Sequence, residues 1–387
     1  MGDRTYRRPR TLLINDTSEV CHWGCTATST ALKNGVLRRG LELETVPASS
    51  IPRLGRLLQV AEDFDRPDVA ALLREKAPVL TQAIHSADSV LVNGEGSLHG
   101  DRNVAKTLLY ILWYSAKVAG KPVDLVNHSC YPQDRMHASE DALLEFYRRA
   151  YAVLRYVAVR EPVSWRLVTD SLRRDAVESF DCLPLYLDSL ASSSEVERTP
   201  TVCVASSVIW NKRWAPRLVR TLARLADKGW KLRLLVGANG DWNHEDIAFV
   251  TDLRCAWRWH SLGRGRPLKP APWEVRDART LGDWLEAIAS SRLLISGRFH
   301  HSIAAYCLGT PRVMLDSNTP KVQGMLEVIG GSMAASFGAK GWGEDLDRAI
   351  AATLDQALPS EQDVAKRRKQ LCNLAERNFA GLDSGPR

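Results

Sequence analysis

The densest set of chemistry-bearing residues is Ser296-Gly297-Arg298-Phe299-His300-His301, followed by Gly309-Thr310-Pro311 and by Asp316-Ser317-Asn318-Thr319-Pro320-Lys321. The apolar runs Leu293–Ser296 and Arg312–Leu315 read as strands, and His301–Leu308 as the helix between them. Arg298 and His300 then fall at a strand's mouth and a helix's start. A helix N-terminus carries free N–H groups and partial positive charge, so it favours an anion. Arg298 adds a planar fork suited to a carboxylate or phosphate, and Lys321 enters from the start of the next helix. Gly297, Ser317 and Asn318 supply close backbone approach and small polar groups at the same strand ends. The pattern predicts an electropositive pocket holding an imidazole able to move protons. The plainer alternative is that Arg298 pairs with a nearby acid while His300 or His301 caps the helix.

A second, less charged set lies upstream. His22 and Gly24 follow the first predicted strand, Glu95 and Gly96 follow another, and Asn127-His128 follow a third. Polar groups gathered at strand ends suit a sugar, which offers many hydroxyls and few charges. Tight turns with helix caps would produce the same residue types. His99, near Asp101, is expected to start the following helix. Of the 12 tryptophans, Trp113 and Trp284 fall in helical patterns and read as core, whereas Trp210, Trp214 and Trp242 fall near loops, where a ring could stack on a sugar.

The elements that must position these residues alternate. Strands are expected at Thr11–Asn15, Leu41–Val46, Ser89–Asn93, Val123–Asn127 and Val153–Val159, with helices such as Thr26–Arg39, Pro67–His85 and Asn103–Ala119 between them. The polar stretch Ser189–Glu195, ending at Pro200, reads as a linker. Alternation restarts with strand Thr201–Ala205, helix Ala215–Lys228, strand Lys231–Val236 and helix Leu281–Ser290. Arg264–Trp273 is expected to be an exposed loop, and Gly237–Asp241 to follow a strand as a turn or a ligand-lining loop. Glu344–Leu358 and Ser360–Phe379 read as amphipathic helices. The pattern is α/β, predicting two doubly wound, Rossmann-like domains with parallel sheets facing a cleft. The division is 1–188 as an N-terminal domain carrying the sugar-suited set, 189–200 as linker, and 201–343 as a domain carrying the anion pocket. Residues 344–387 read as C-terminal helices, with packing back on the N-terminal domain as an option.

Composition narrows the class. The 387 residues are 45% hydrophobic and 25% charged, which excludes disordered, collagen-like and coiled-coil chains. The longest strongly apolar run, Leu108–Tyr114, is far below the ~18 residues of a membrane span, and the start lacks an export signal. A soluble, cytoplasmic protein is expected, with its eight scattered cysteines reduced and no CxxC pair to hold zinc. No metal is expected, because acidic residues do not cluster with histidine at ligand spacing and neither HExxH nor a Walker loop occurs. A net charge of +7 favours anionic partners: phosphorylated metabolites, an anionic membrane face or nucleic acid. No nucleic-acid partner is expected, since no helix-turn-helix or RNA-recognition signature is present.

Strand–Gly-Arg-x-His–helix–Gly-x-Pro–strand–Ser-Asn-x-x-Lys resembles the polysaccharide pyruvyl transferase family. His22-Trp23-Gly24-Cys25-Thr26 is similar to that family's N-terminal loop, Asn93–Leu98 to its glycine segment after a strand, and Val159–Ser164 to its arginine–acid–x–x–serine step. The resemblance implies a two-domain fold like that of GT-B glycosyltransferases. It also implies transfer of the pyruvyl group of phosphoenolpyruvate onto two hydroxyls of a sugar, as a cyclic ketal, with no further cofactor. Arg298 and His300 match the family's donor-site arginine and catalytic histidine, and Arg160 matches a second arginine directed at the donor. The acceptor would be a surface glycan, lipid-linked, polymeric or free, with at most peripheral membrane contact at the inner face. Two other readings stand beside it: a GT-B glycosyltransferase using a nucleotide sugar, and a non-enzymatic binder of nucleic acid or an anionic surface.

Overall fold

Short runs of aliphatic residues covered on both faces make parallel strands. In a computed structural model the described residues are 7–19, 22–132, 140–190, 196–237, 244–263, 270–331 and 341–383. The chain forms two compact units: residues 1–20, 26–186 and 371–387, and residues 21–25 and 187–370.

Among the described residues of the first unit, six strands form one sheet: β1 (Arg10–Asp16), β2 (Glu42–Pro47), β3 (Ser89–His99), β4 (Val123–Tyr131), β5 (Tyr156–Val159) and β6 (Val177–Glu178). Their order is β2-β1-β3-β4-β5-β6, and every pair is parallel. In register, Leu12, Leu13 and Ile14 lie against Val90, Leu91 and Val92. Residues of alternate parity feed the two faces: Leu12 and Ile14 join the core with Leu108, Tyr147 and Tyr151, while Leu13 packs with Leu32, Val36 and Phe379. Phe379 brings the C-terminal segment into this unit. Its ring occupies the space a Cβ on Gly35 would need, 2.2 Å away, so only glycine lets the two elements close.

In the second unit, five strands form a parallel sheet: β7 (Thr201–Val204), β8 (Lys231–Val236), β9 (Trp273–Asp277), β10 (Leu293–Ser296) and β11 (Arg312–Met314), in the order β11-β10-β7-β8-β9. Helix Ala215–Asp227 buries Leu218, Val219 and Leu222 on it, and helix Trp342–Leu354 adds Trp342, Leu346 and Ile350.

Both sheets are of the doubly wound kind. Order reverses between β1 and β3 in the first and between β7 and β10 in the second, and such a switch point opens a crevice beyond the strand ends.

Several elements differ from expectation. The single helix expected over Pro67–His85 is two, Pro67–Lys76 and Pro78–Ser86, because Pro78 has no N–H to donate and displaces Ala77 to φ −139°, ψ 61°. β5 starts at Tyr156 rather than Val153. A 20-residue helix, His244–Gly263, stands where none was expected; it buries Phe249, Val250, Leu253 and Ala256 at helical spacing among interleaved charges. Residues 264–269 of the expected loop lie outside the described residues, as do 191–195 of the linker, but its last residue, Trp273, is buried, begins β9 and meets Trp257 edge-on at 5.7 Å. His99 ends β3 instead of opening a helix.

Candidate active site

The second unit gathers its polar residues at the C-terminal ends of its strands. Beyond β10, Gly297 passes so close to its neighbours that a Cβ would lie 2.4 Å from Ser207 and 2.6 Å from the Asp316 carbonyl oxygen. Glycine there draws the exits of β7, β10 and β11 together. Arg298 follows, 6% exposed, and caps helix Phe299–Cys307. Its guanidinium spans the switch point: Nη2 donates to Ser206 Oγ at 2.9 Å and to Asp246 Oδ1 at 3.3 Å, and lies 2.8 Å from Glu245 Oε2. Nη1 lies 3.3 Å from His22 Nε2. One edge of the fork is thus anchored on acids and a hydroxyl, and the other is turned towards an imidazole.

Besides His22, Trp23 and Gly24 make contacts within this unit. Trp23 Nε1 donates to the Ala278 carbonyl at the end of β9, 2.8 Å away. Gly24 lies against His300: a Cβ there would sit 2.2 Å from His300 Cβ and 2.6 Å from its Nδ1. Gly24 therefore meets the start of helix Phe299–Cys307, and the charge of Lys321, which opens helix Lys321–Ile329, reaches His22. Two helix N-termini, an arginine and a lysine make a site suited to an anion.

The histidines respond to that charge. Burial first, then Arg298, His300 and Lys321, push His22 down to about 3. His301 is held well below its usual range, again by burial and then by Arg298; its Nε2 accepts from Trp284 Nε1 at 3.2 Å. Both rings are neutral near pH 7, and a neutral His22 Nε2 accepts from Arg298. Burial keeps Asp246 above the usual carboxylate range despite Arg298.

The first unit carries its own strand-end network. Asn15 near the end of β1, and Glu95 and Asn127 within β3 and β4, all have positive φ (65°, 39° and 51°) and are buried. Non-glycine residues pay ~1–3 kcal/mol for such strain, which persists only where surroundings enforce it. Here hydrogen bonds do: Asn15 Nδ2 to the Asn93 carbonyl at 2.6 Å, Asn127 Nδ2 to Asn93 Oδ1 at 2.9 Å, and Thr17 Oγ1 to Glu95. Arg160, 2% exposed, donates to Asp181 at 2.8 Å and Ser129 at 3.0 Å, and Asp181 also accepts from Thr28 at 2.9 Å.

The residues singled out by sequence thus fall into two groups. Arg298, His300, Lys321, Gly297, His22 and Gly24 stand together in the second unit, and Ser317 and Asn318 lie partly buried in the loop after β11. His22 and Gly24 were expected on the N-terminal domain's side; contacts with Arg298, His300 and Ala278 place them in the second unit instead. Arg160, Glu95, Gly96, Asn127 and His128 belong to the first unit. His128 needs correction as a sugar contact. It is fully buried, with Nδ1 2.9 Å from the Ala158 carbonyl and Nε2 2.9 Å from Tyr151 Oη, so its ring has no nitrogen left for a hydroxyl. Asn127 is equally buried, its side chain shared between Asn93 and the Cys182 N–H. The plainer alternative for Arg298 also holds in part, since it does pair with acids. Trp210 and Trp214 pack on each other, and Trp210 on Phe249, as core; Trp242 and residues 238–241 lie outside the described residues.

Sequence reasoning missed Ser206, Glu245, Asp246 and Trp23. The two acids open the unexpected helix, and the signal available was the acidic pair Glu245-Asp246 at the head of a helical apolar pattern. Among the described residues no group of three or more His, Cys, Asp or Glu side chains could hold a metal, and no helix is long and apolar enough to cross a membrane.

His128 makes a pH prediction. Burial pushes it down to about 3, whereas in an unfolded chain it titrates near 6.5. The unfolded state therefore takes up a proton first as pH falls. Stability is complete above pH 6.5 and is lost progressively towards pH 3. At pH 5 this one ring is expected to cost ~2 kcal/mol, read as a fall in Tm between pH 7 and pH 5; a flat profile would contradict it.

Two parallel doubly wound sheets with polar strand ends at their switch points define a GT-B-like α/β fold. The chain belongs to the polysaccharide pyruvyl transferase family, whose model matches residues 24–319, and it is accordingly a transferase. No curated protein sequence matches this one. Among solved structures, UDP-N-acetylglucosamine 2-epimerase from Rickettsia bellii is similar at TM-score 0.59 and 12% identity, over 98% of this chain and 97% of that one. The UDP-GlcNAc 2-epimerase from Methanocaldococcus jannaschii is similar at 0.58 and 13%, over 98% and 100%. Arabidopsis thaliana UGT89C1 complexed with UDP-L-rhamnose is similar at 0.54 and 11%, over 98% of each chain. At such identities the likeness is one of fold.

Proposed function

We propose that this protein moves the pyruvyl group of phosphoenolpyruvate onto two hydroxyls of one sugar in a polysaccharide bound for the cell surface. The observation that carries the reading is the meeting of Arg298, Lys321, His22 and His300 near two helix N-termini of the second unit. Phosphoenolpyruvate presents a carboxylate and a phosphate close together, and such a donor needs fixed cations more than shape. Arg298 answers with the edge of its fork that the acids leave free. His300, seated on Gly24, is the imidazole proposed to move the proton.

In the proposed reaction the methylene carbon of the donor gains a proton, and the first sugar hydroxyl bonds to the adjacent carbon and gives up its own. The second hydroxyl then bonds to that carbon as the carbon–oxygen bond to phosphate breaks. The second hydroxyl's proton leaves to a base, and inorganic phosphate departs. No redox partner, metal or further cofactor is required. Glu95 and Gly96 remain the proposed acceptor-side groups, with Asn127 and His128 supporting them from within the core.

A nucleotide-sugar donor is the competing reading, favoured by the UDP-sugars bound in structures of the same fold. Thermal melts separate the two: phosphoenolpyruvate should raise Tm and UDP-N-acetylglucosamine should not, since only a bound ligand stabilises the native state. Stabilisation by the nucleotide sugar alone would reverse the assignment.

A further inference from the structure

The same sheet has a second basic pocket, at its other end. It encloses about 180 Å³ between Tyr306, Arg312, Arg367, Gln356 and Gly331, and among the described residues no acidic one lines it. Arg312 is the first residue of β11, so the pocket opens at that strand's N-terminal end, whereas Arg298 follows the C-terminal end of β10. The two sites are distinct.

Arg312 is prepared for a ligand it does not find in the protein. Its Nη2 donates to the carbonyls of Ile329 and Gly330, which fixes the guanidinium, while its Nε is buried with no hydrogen-bond partner. Cζ lies 4.9 Å from the centre of the Tyr306 ring, and Arg367 Cζ lies 5.5 Å from the same ring. A third guanidinium stands close by: Arg292 Nη2 donates to the carbonyls of Leu354 and Gln356, and its buried Nη1 has no partner. The neighbouring Arg368 is paired with Asp188, but no ion pair among the described residues involves Arg312 or Arg367. Asp363, one turn before Arg367, accepts from the Ser360 hydroxyl at 2.7 Å.

Arg312 and Arg367 are partly buried, which costs each cation some hydration, and like charges this close repel. Burial, together with the charge of Arg367, pushes Arg312 down to about 10. An anion between the forks would offset both costs. Stacking on Tyr306 holds the guanidiniums in place beforehand, so little side-chain freedom is lost on binding. The space suits several waters or one small anion.

We propose that this pocket binds a small phosphate-bearing anion, gripped by Arg312 and Arg367 against Tyr306. The test is calorimetric titration with inorganic phosphate at ionic strength matched with sodium chloride, on the wild type, Arg367→Gln, Arg312→Gln and Arg298→Gln. Arg367 sits on the partly exposed face of helix Glu361–Glu376, so its variant carries the test even if Arg312→Gln fails to fold. Expected is a binding event that Arg298→Gln retains and that Arg367→Gln weakens at least tenfold. The proposal is overturned if the wild type binds no phosphate, if Arg367→Gln keeps all of the wild-type binding, or if Arg298→Gln abolishes all of it.

Discussion

Replacing His300 by alanine is expected to lower turnover with phosphoenolpyruvate by ~10²–10⁴, the usual worth of a positioned acid–base group, while leaving Tm close to that of the wild type. His300 is only partly buried and rests on Gly24, so its loss opens no core cavity. The adjacent histidine supplies the control. His301 Nε2 accepts from Trp284 Nε1, and Trp284 is 1% exposed, so His301→Ala leaves a buried donor unpaired. That should cost ~1–3 kcal/mol of stability with kcat less affected. Phosphate release and thermal melts on both variants read the two effects separately. Near-normal turnover in His300→Ala, or a loss of turnover confined to His301→Ala, would move the chemistry to the other ring.

Arg298→Gln is expected to have the second large effect, on two quantities at once. Asp246 is 6% exposed and pairs with Arg298, and it also accepts from Ser206 Oγ at 3.1 Å and from the Gly237 N–H at 3.2 Å. Breaking a buried pair from one side typically costs ~3–5 kcal/mol. Part of this will be relieved by protonation, since burial already holds Asp246 above the usual carboxylate range. Turnover should fall at least ~10²-fold with the loss of a charge-assisted contact to the donor. A second substitution distinguishes the two roles. Adding Asp246→Asn removes the stranded charge and should return most of the stability without returning kcat/KM. If activity recovers along with Tm, Arg298 serves the fold rather than the donor, and the proposed donor site is wrong.

The legible part of this protein was its alternation. Aliphatic runs such as Leu12-Leu13-Ile14 and Leu293–Ile295 are fully buried strands because a parallel sheet is covered on both faces and has no polar side to declare. Glycine and proline marked the ends, and Pro78 broke a helix that periodicity alone would have continued. Helix His244–Gly263 escaped because charged residues such as Arg254 and Arg258 are interleaved with its apolar positions. With it went Glu245 and Asp246, the acids that hold Arg298.

The sequence by itself determined that this is an α/β chain whose cationic and imidazole groups follow strands, because residue type and spacing along one segment settle which end of a strand a side chain occupies. It also carried the family, through Gly297-Arg298-Phe299-His300 and the lysine beyond. Partnership over long separations was decided only by tertiary structure: His22 against Arg298, Gly24 against His300, Asp246 beneath the guanidinium, and His128 sealed between Ala158 and Tyr151. Those pairings depend on strand order and on how closely two backbones approach. Both are set by core packing between segments up to 276 residues apart, and no local pattern records them.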